Sequence, residues 1–138
     1  MRVFLDANIL FSAAKSDGAV RELLRLLRAG KHECWVDDYV VTEARRNLAA
    51  KEPPALAVLE PLLTRLHVSP AQAPGPELTL VNWLPEKDRT VLAAAIRLRC
   101  NAPVTGDRAH FGPGYAKVFA GVTIHSPRSL AERLFGNA

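Results

Sequence analysis

Four stretches of this chain set a carboxylate at the end of an apolar run: VFLDANILF at Asp6, YVVTEARRNL at Glu43, LPEKDRTVLAAA at Asp88 and APVTGDRAHF at Asp107. An unpaired carboxylate is costly beside a core, so a chain that repeatedly places acids at core edges has to gather them around something that repays the cost. Hard divalent cations such as Mg²⁺ and Mn²⁺ take oxygen donors, and carboxylates converging from separate elements form the usual protein share of their sites. The pattern restricts the fold to one in which several distant elements end at a common cleft.

The segments between the acids say which elements these are. Arg2–Leu5 reads as a short buried strand closed by the polar residues Asp6 and Asn8. Val20, Leu23, Leu24 and Leu27 follow helical spacing up to a stop at Gly30, and residues 33–36 form a second strand. Asp38 is the expected N-cap of a helix with Val40, Ala44 and Leu48 on its buried face and Glu43 at the edge of that face. Pro53 and Pro54 precede a helical stretch over residues 55–66, where Pro61 predicts a kink or two short pieces, because an interior proline costs ~3 kcal/mol. A third strand is expected at residues 67–69 and a surface loop at 70–76. Pro85 opens a helix that buries Val91, Leu92, Ala95 and Ile96 and carries Asp88 in its first turn, where a carboxylate is favourable. Further strands are expected at 102–105, ending in Gly106 and Asp107, and at 122–125, and Ser126 and Pro127 start a last helix. Strands alternating with helices predict an α/β layer structure with a mainly parallel sheet, whose ligand site lies at the carboxyl ends of the strands.

With 138 residues the chain is expected to form one domain spanning 1–138. Its 18 Lys and Arg against 14 Asp and Glu give a net charge of +4, which suits a polyanionic partner, the more so if several acids are engaged with metal. Asp6 and Asn8 interrupt what would be the apolar part of a signal peptide, so export is not expected. No stretch reaches the ~20 apolar residues needed to cross a membrane. Cys34 and Cys100 lie far apart without a CxxC pattern and are expected to be free thiols in a reducing cytoplasm.

Taken singly, each acid has a plainer explanation: a turn or cap for Asp6, a solvated helix position for Glu43, a helix-terminus acid for Asp88. Jointly, and in these local contexts, they resemble the PIN-domain nucleases, small α/β proteins with four scattered acids that hold Mg²⁺ or Mn²⁺ and cut RNA. Asp6 matches the first acid of that family's D-x-N opening, Glu43 the acid of its second conserved helix, Asp88 the acid before an alanine-rich helix, and Asp107 the acid of its T-x-D motif. Asn8 and Thr105 match the accompanying polar positions.

The resemblance spans essentially the whole chain. It implies a three-layer α/β/α fold and metal-assisted hydrolysis of single-stranded RNA, with Asp6, Glu43, Asp88 and Asp107 as the metal ligands and water as the nucleophile. Among such proteins a stand-alone domain is similar to the VapC-type toxins of toxin–antitoxin pairs, which implies an antitoxin partner and a homodimer. The leucine-rich early helix (Leu23, Leu24, Leu26, Leu27) supplies a surface for the second copy. The alternatives are an RNA-processing nuclease of the same fold without a toxin role, and a non-catalytic RNA-binding version. Arg45, Arg46, Lys87, Arg89 and Arg108 flank the acids and are candidates for holding RNA phosphates, Arg46 and Arg108 foremost. Phe11, Trp83, Phe111 and Tyr115 are candidates for base stacking, with core packing as the competing role.

Overall fold

The computed structural model describes residues 1–71, 86–106, 118–119 and 122–136; for residues 86–88, 90, 118 and 119 the description is of the backbone. Strand β1 (Arg2–Leu5) is the hydrophobic axis of the molecule: Val3, Phe4 and Leu5 are all fully buried, so both faces of the strand are covered, as expected of a central parallel strand. It is flanked by β2 (Glu33–Asp37) and β4 (Ala102–Val104), and β3 (His67–Ser69) lies outside β2, giving a parallel sheet of order β3-β2-β1-β4.

That order dictates the layers. The crossover from β1 to β2 carries α1 (Ala7–Lys15) and α2 (Ala19–Ala29). The next, from β2 to β3, carries α3 (Asp38–Lys51), a 3₁₀ turn (Pro53–Ala55) and α4 (Leu56–Leu63). Both step the same way along the sheet, and right-handed crossovers then place all four helices on one face, where α1 packs against α2, α3 and α4. The crossover from β3 to β4 steps back past β1, so α5 (Glu86–Arg97) belongs to the opposite face. The three-layer α/β/α arrangement expected from the sequence is the one the chain adopts.

The last segment differs in detail from expectation. Residues 122–125 were expected as one strand. Instead β6 (Val122–Thr123) pairs antiparallel with β5 (Val118–Phe119), and the chain then meets β4 in a single parallel bridge between His125 and Val104. Hydrogen bonds from Thr123 N to Asn101 O and from His125 N to Pro103 O tie it to β4. The last helix, α6 (Pro127–Phe135), starts as expected, with Ser126 and Ser129 forming a reciprocal capping pair.

Helix α1 was not foreseen as a separate element. Its buried residues Ala7, Ile9, Leu10, Ala13 and Ala14 cover a wide arc rather than a narrow stripe, because the helix is sandwiched between the sheet and three other helices. In α2 the leucines divide: Leu23, Leu24 and Leu27 are buried in the chain's own core, and Leu26 is 40% exposed. Most of the apolar surface that suggested a second copy is therefore used internally. Pro61 sits inside α4, which continues through it to Leu63, so the two pieces expected from the proline do not form there; the boundary between the 3₁₀ turn and α4 falls earlier, at Ala55 and Leu56. The expected loop at 70–76 and helix start at Pro85 lie mostly outside the described residues.

Two helix ends carry backbone strain. Lys31, after α2, and Arg99, after α5, have φ of 62° and 58°, the left-handed region in which glycine is cheapest. Gly30 has an ordinary φ of −81° and serves another purpose: a Cβ there would come within 3.0 Å of the His32 ring. The left-handed turn thus falls on the lysine and not on the glycine read as the stop. Replacing Lys31 with Gly is expected to raise stability by about 0.5–1 kcal/mol, the relief of left-handed strain less the added freedom of the unfolded chain, measured as a higher urea midpoint at unchanged slope.

Candidate functional site

Strand order identifies where a ligand should sit. The chain leaves β1 in one direction and returns on its other side as β4, so the carboxyl ends of β1 and β4 flank a topological switch point, the usual crevice of open α/β sheets. The register puts polar residues along that whole edge. Asp6 and Thr105 each stand one residue beyond the Leu5–Val104 pair, Asp6 and Asp37 each stand two beyond the Phe4–Trp35 pair, and Asp37 pairs with Ser69. A row Ser69, Asp37, Asp6, Thr105 therefore closes the C-terminal edge of the sheet.

Asp6 is buried to 6% exposure and ends β1 in extended backbone, so α1 starts directly after it with Asp6 as N-cap. Its Oδ1 accepts the Ala7 N–H at 2.7 Å, while Oδ2 accepts the Thr105 hydroxyl at 2.8 Å and, more weakly, the Asn8 amide at 3.4 Å. The Asn8 amide also donates to Thr105 Oγ1 at 3.2 Å, and Asn8 Oδ1 accepts the Gly106 N–H at 2.9 Å. Asn8 thus binds the end of β1 to the end of β4, and Thr105, at 2% exposure, fixes the orientation of the Asp6 carboxylate. Asp6 has the capping contact and the aimed carboxylate together. Gly106, read from sequence as a strand terminator, contributes its N–H to this cluster, a contact 98 residues along the chain that no local spacing signals.

Glu43 comes from α3. Tyr39, Thr42, Glu43 and Arg46 fall at helical spacing on one stripe and, with Asp38 and Ala71, line a cleft of about 550 Å³. Val40, Ala44 and Leu48, the face expected to be buried, are each at 0% exposure, which leaves Glu43 half-buried at its edge. Asp88 lies in the first turn of α5, as expected; its side chain, like the whole of Asp107 and Arg108, is outside the described residues. Among the described residues no three His, Cys, Asp or Glu side chains form a group able to hold a metal ion.

The structure revises the neighbouring assignments. Asp37, not Asp38, caps α3: its Oδ1 accepts the Val40 N–H at 2.9 Å, and Asp38 occupies the first turn. The boundary depends on where β2 ends, and Asp37 is still paired with Ser69. Arg45 is committed to Glu60 through two contacts of 3.1 and 2.7 Å, whereas Arg46 lines the cleft. Phe11 packs against the core with Lys15 and Lys51 each 5.9 Å from its ring. Trp83, Phe111 and Tyr115 lie outside the described residues. Cys34 and Cys100 are free and buried as expected; burial pushes their thiols up to about 11 and about 12, so neither supplies a thiolate near neutral pH.

Asp37 is 1% exposed, and burial raises its carboxyl above the ordinary range, opposed by the Val40 N–H and the Arg97 charge and reinforced by Asp38.

A family model described as PIN domain matches residues 2–109. No curated protein matches the chain. Among solved structures, VapBC2 of Rickettsia felis, bound to a DNA fragment from its promoter, is similar at 18% identity and a TM-score of 0.67, over 91% of this chain and 98% of that one. DNA-bound VapBC of Salmonella typhimurium is similar at 16% identity and a TM-score of 0.64, over 92% and 98%. VapC20 of Mycobacterium tuberculosis, a toxin that cleaves the sarcin–ricin loop, is similar at 17% identity and a TM-score of 0.60, over 85% and 98%. At these identities the likeness is one of fold.

Two outcomes are expected from this site. Thr105→Val leaves a buried carboxylate oxygen short of its donor and should lower stability by about 1–3 kcal/mol in urea melts, with Thr105→Ser losing much less. For Asp37, the raised native pKa means that the folded state holds its proton to higher pH than the unfolded chain. The stabilising contribution is then present below the unfolded value and lost as pH rises through the native one. Asp37→Asn, which keeps the cap, should be more stable than the parent at neutral pH, and urea midpoints measured down to pH 4 should show the difference shrinking.

Proposed function

The chain belongs to the PIN domain family, and from that premise we propose that it is a metal-dependent endoribonuclease that hydrolyses phosphodiester bonds of single-stranded RNA, acting as the toxin of a toxin–antitoxin pair. The observation that carries this reading is the Asp6 carboxylate, buried, oriented by Thr105 and Asn8, and set at the switch point between β1 and β4. A carboxylate kept there has to be repaid beyond its cap, and oxygen donors fit a hard cation.

Asp6, Glu43, Asp88 and Asp107 are the proposed ligands of Mg²⁺ or Mn²⁺. When bound, such an ion supplies an acidified water and neutralises charge on the leaving oxygen. The chain's own residues do the positioning. Thr105 and Asn8 hold the Asp6 carboxylate in one orientation, so little ordering remains to be done when substrate arrives. Arg46, which lines the same cleft as Glu43, is proposed to take an RNA phosphate beside the acids, and Arg108, next to Asp107 in sequence, is proposed for the same role. Buried, protonated thiols remove cysteine as an alternative nucleophile.

The proposed protein partners are a cognate antitoxin, in keeping with the VapBC complexes that share the fold, and a second copy of this chain, for which Leu26 and Phe135 are exposed on the touching helices α2 and α6. Among the described residues no helix is long and apolar enough to cross a membrane, and the proposed setting is the cytoplasm.

Cleavage of a generic single-stranded RNA in Mn²⁺ should disappear on chelation. Asp6→Asn, Glu43→Gln, Asp88→Asn and Asp107→Asn should each lose more than the roughly 10–100-fold that outer-shell substitutions cost. Mn²⁺ should also raise the melting temperature of the parent, by the equivalent of ~2.7 kcal/mol at one hundred times Kd, and raise it less in the variants. Near-normal rates in two of the four variants would remove the metal-site assignment.

A further inference from the structure

At the opposite edge of the sheet, where β2 and β3 begin, the ends of α2 and α4 enclose a pocket of about 690 Å³ whose character is the reverse of the acidic edge. Its apolar lining comes from Leu24, Leu62 and Leu66, and its charge from basic side chains along α2 and just after α2 and α4. Two of these are occupied: Arg25 pairs with Asp17 and Glu22, and Arg21 donates to the Ala13 and Ala14 carbonyls. Glu33, an acid of the lining, is within 3.7 Å of both Arg2 and His67. Arg28, Lys31 and Arg65 remain, and among the described residues they make no ion pair.

Cations are favoured at helix C-termini, which accounts for Arg28 at the end of α2. The same preference extends to Lys31 just past that end, which holds its charge at a left-handed position where glycine would relieve strain. The pocket has the size of a small-molecule site, an apolar wall able to take a base, and two guanidinium forks of the kind that match phosphate.

We propose that this pocket binds a nucleoside carrying a terminal phosphate. Three cations that make no ion pair among the described residues, gathered on one pocket, call for dense negative charge. A phosphate monoester brings about −1.5 to −2 on one group, which a peptide carboxylate does not. Free 5′-mononucleotide and the 5′-phosphorylated end of an RNA strand present the same chemistry, and the experiment separates them. The site is independent of the acidic edge, so it stands apart from the proposed nuclease reading.

The test is calorimetric titration of the full chain in chelator with 5′-AMP, with adenosine, and with a short RNA bearing either a 5′-phosphate or a 5′-hydroxyl. Saturable binding of 5′-AMP is expected, with adenosine weaker by about tenfold or more for loss of the charge-assisted contacts. Lys31→Gly and Arg65→Ala should each weaken 5′-AMP by about fivefold or more, and Asp6→Asn should leave it unchanged. Because Lys31→Gly is expected to strengthen the fold, its effect on binding cannot be put down to unfolding. Tighter binding of 5′-phosphorylated RNA than of 5′-AMP assigns the site to RNA ends, and equal binding assigns it to free nucleotide; either supports the proposal. Failure to bind 5′-AMP together with equal affinity for the two RNAs would overturn it. So would binding of a Glu/Leu peptide at these residues that 5′-AMP does not displace. RNA cleavage in Mn²⁺, assayed on the same proteins, reports separately on the nuclease reading.

Discussion

The contact on which the rest of the site depends is the hydrogen bond from the Thr105 hydroxyl to the Asp6 carboxylate. It lies where β1 and β4 part, and it is backed by Asn8, which reaches Asp6, Thr105 and Gly106 from one short side chain. A carboxylate at this depth is tolerated only with partners, and here they come from its own helix start and from a strand at the other end of the chain. The cluster therefore closes the sheet and aims an acid in one step. Loosening it would disturb the core pairing of β1 with β4 and the direction of the carboxylate together.

Charge is divided between the two edges of the sheet. Asp6 and Asp37 stand at the carboxyl ends of β1 and β2, with Asp38 and Glu43 following on α3, whereas Arg28, Lys31, Arg65 and Arg99 stand where helices hand over to strands at the other edge. Parallel topology makes this separation possible, since every strand of the four-stranded sheet runs the same way and each crossover returns the chain to the same edge. A net charge of +4 does not describe this division, which among the described residues gives the two edges different local character.

Much of this was legible in the sequence, for definite reasons. Helical spacing exposed α2 and the buried face of α3, and an apolar run ending in an acid exposed β1 and its polar end. The first-turn position of Asp88 followed from Pro85. What was not legible depends on tertiary context. Whether Asp37 or Asp38 caps α3 is decided by the length of β2, which is set by pairing with β3. Helix α1 is apolar around too wide an arc to show a period. The partition of Leu23, Leu24, Leu26 and Leu27 between core and surface needed the neighbouring helices. The basic pocket gave no signal because Arg28, Lys31 and Arg65 are ordinary helix-end residues in sequence and become a set only when β2 and β3 lie side by side.

The separation between Asp6 and Thr105, 99 residues along the chain, sets an order of events during synthesis. The first acid emerges together with the helix it caps, but the hydroxyl that orients it is made only after β1, β2 and β3 and the helices between them. Until then β1 has an open edge on the side where β4 will pair, and Asp6 lacks a fixed direction. A nascent chain of this design holds an unfinished cluster while the residues between Asp6 and Thr105 are made, and the pairing that completes the sheet is also the one that orients the carboxylate.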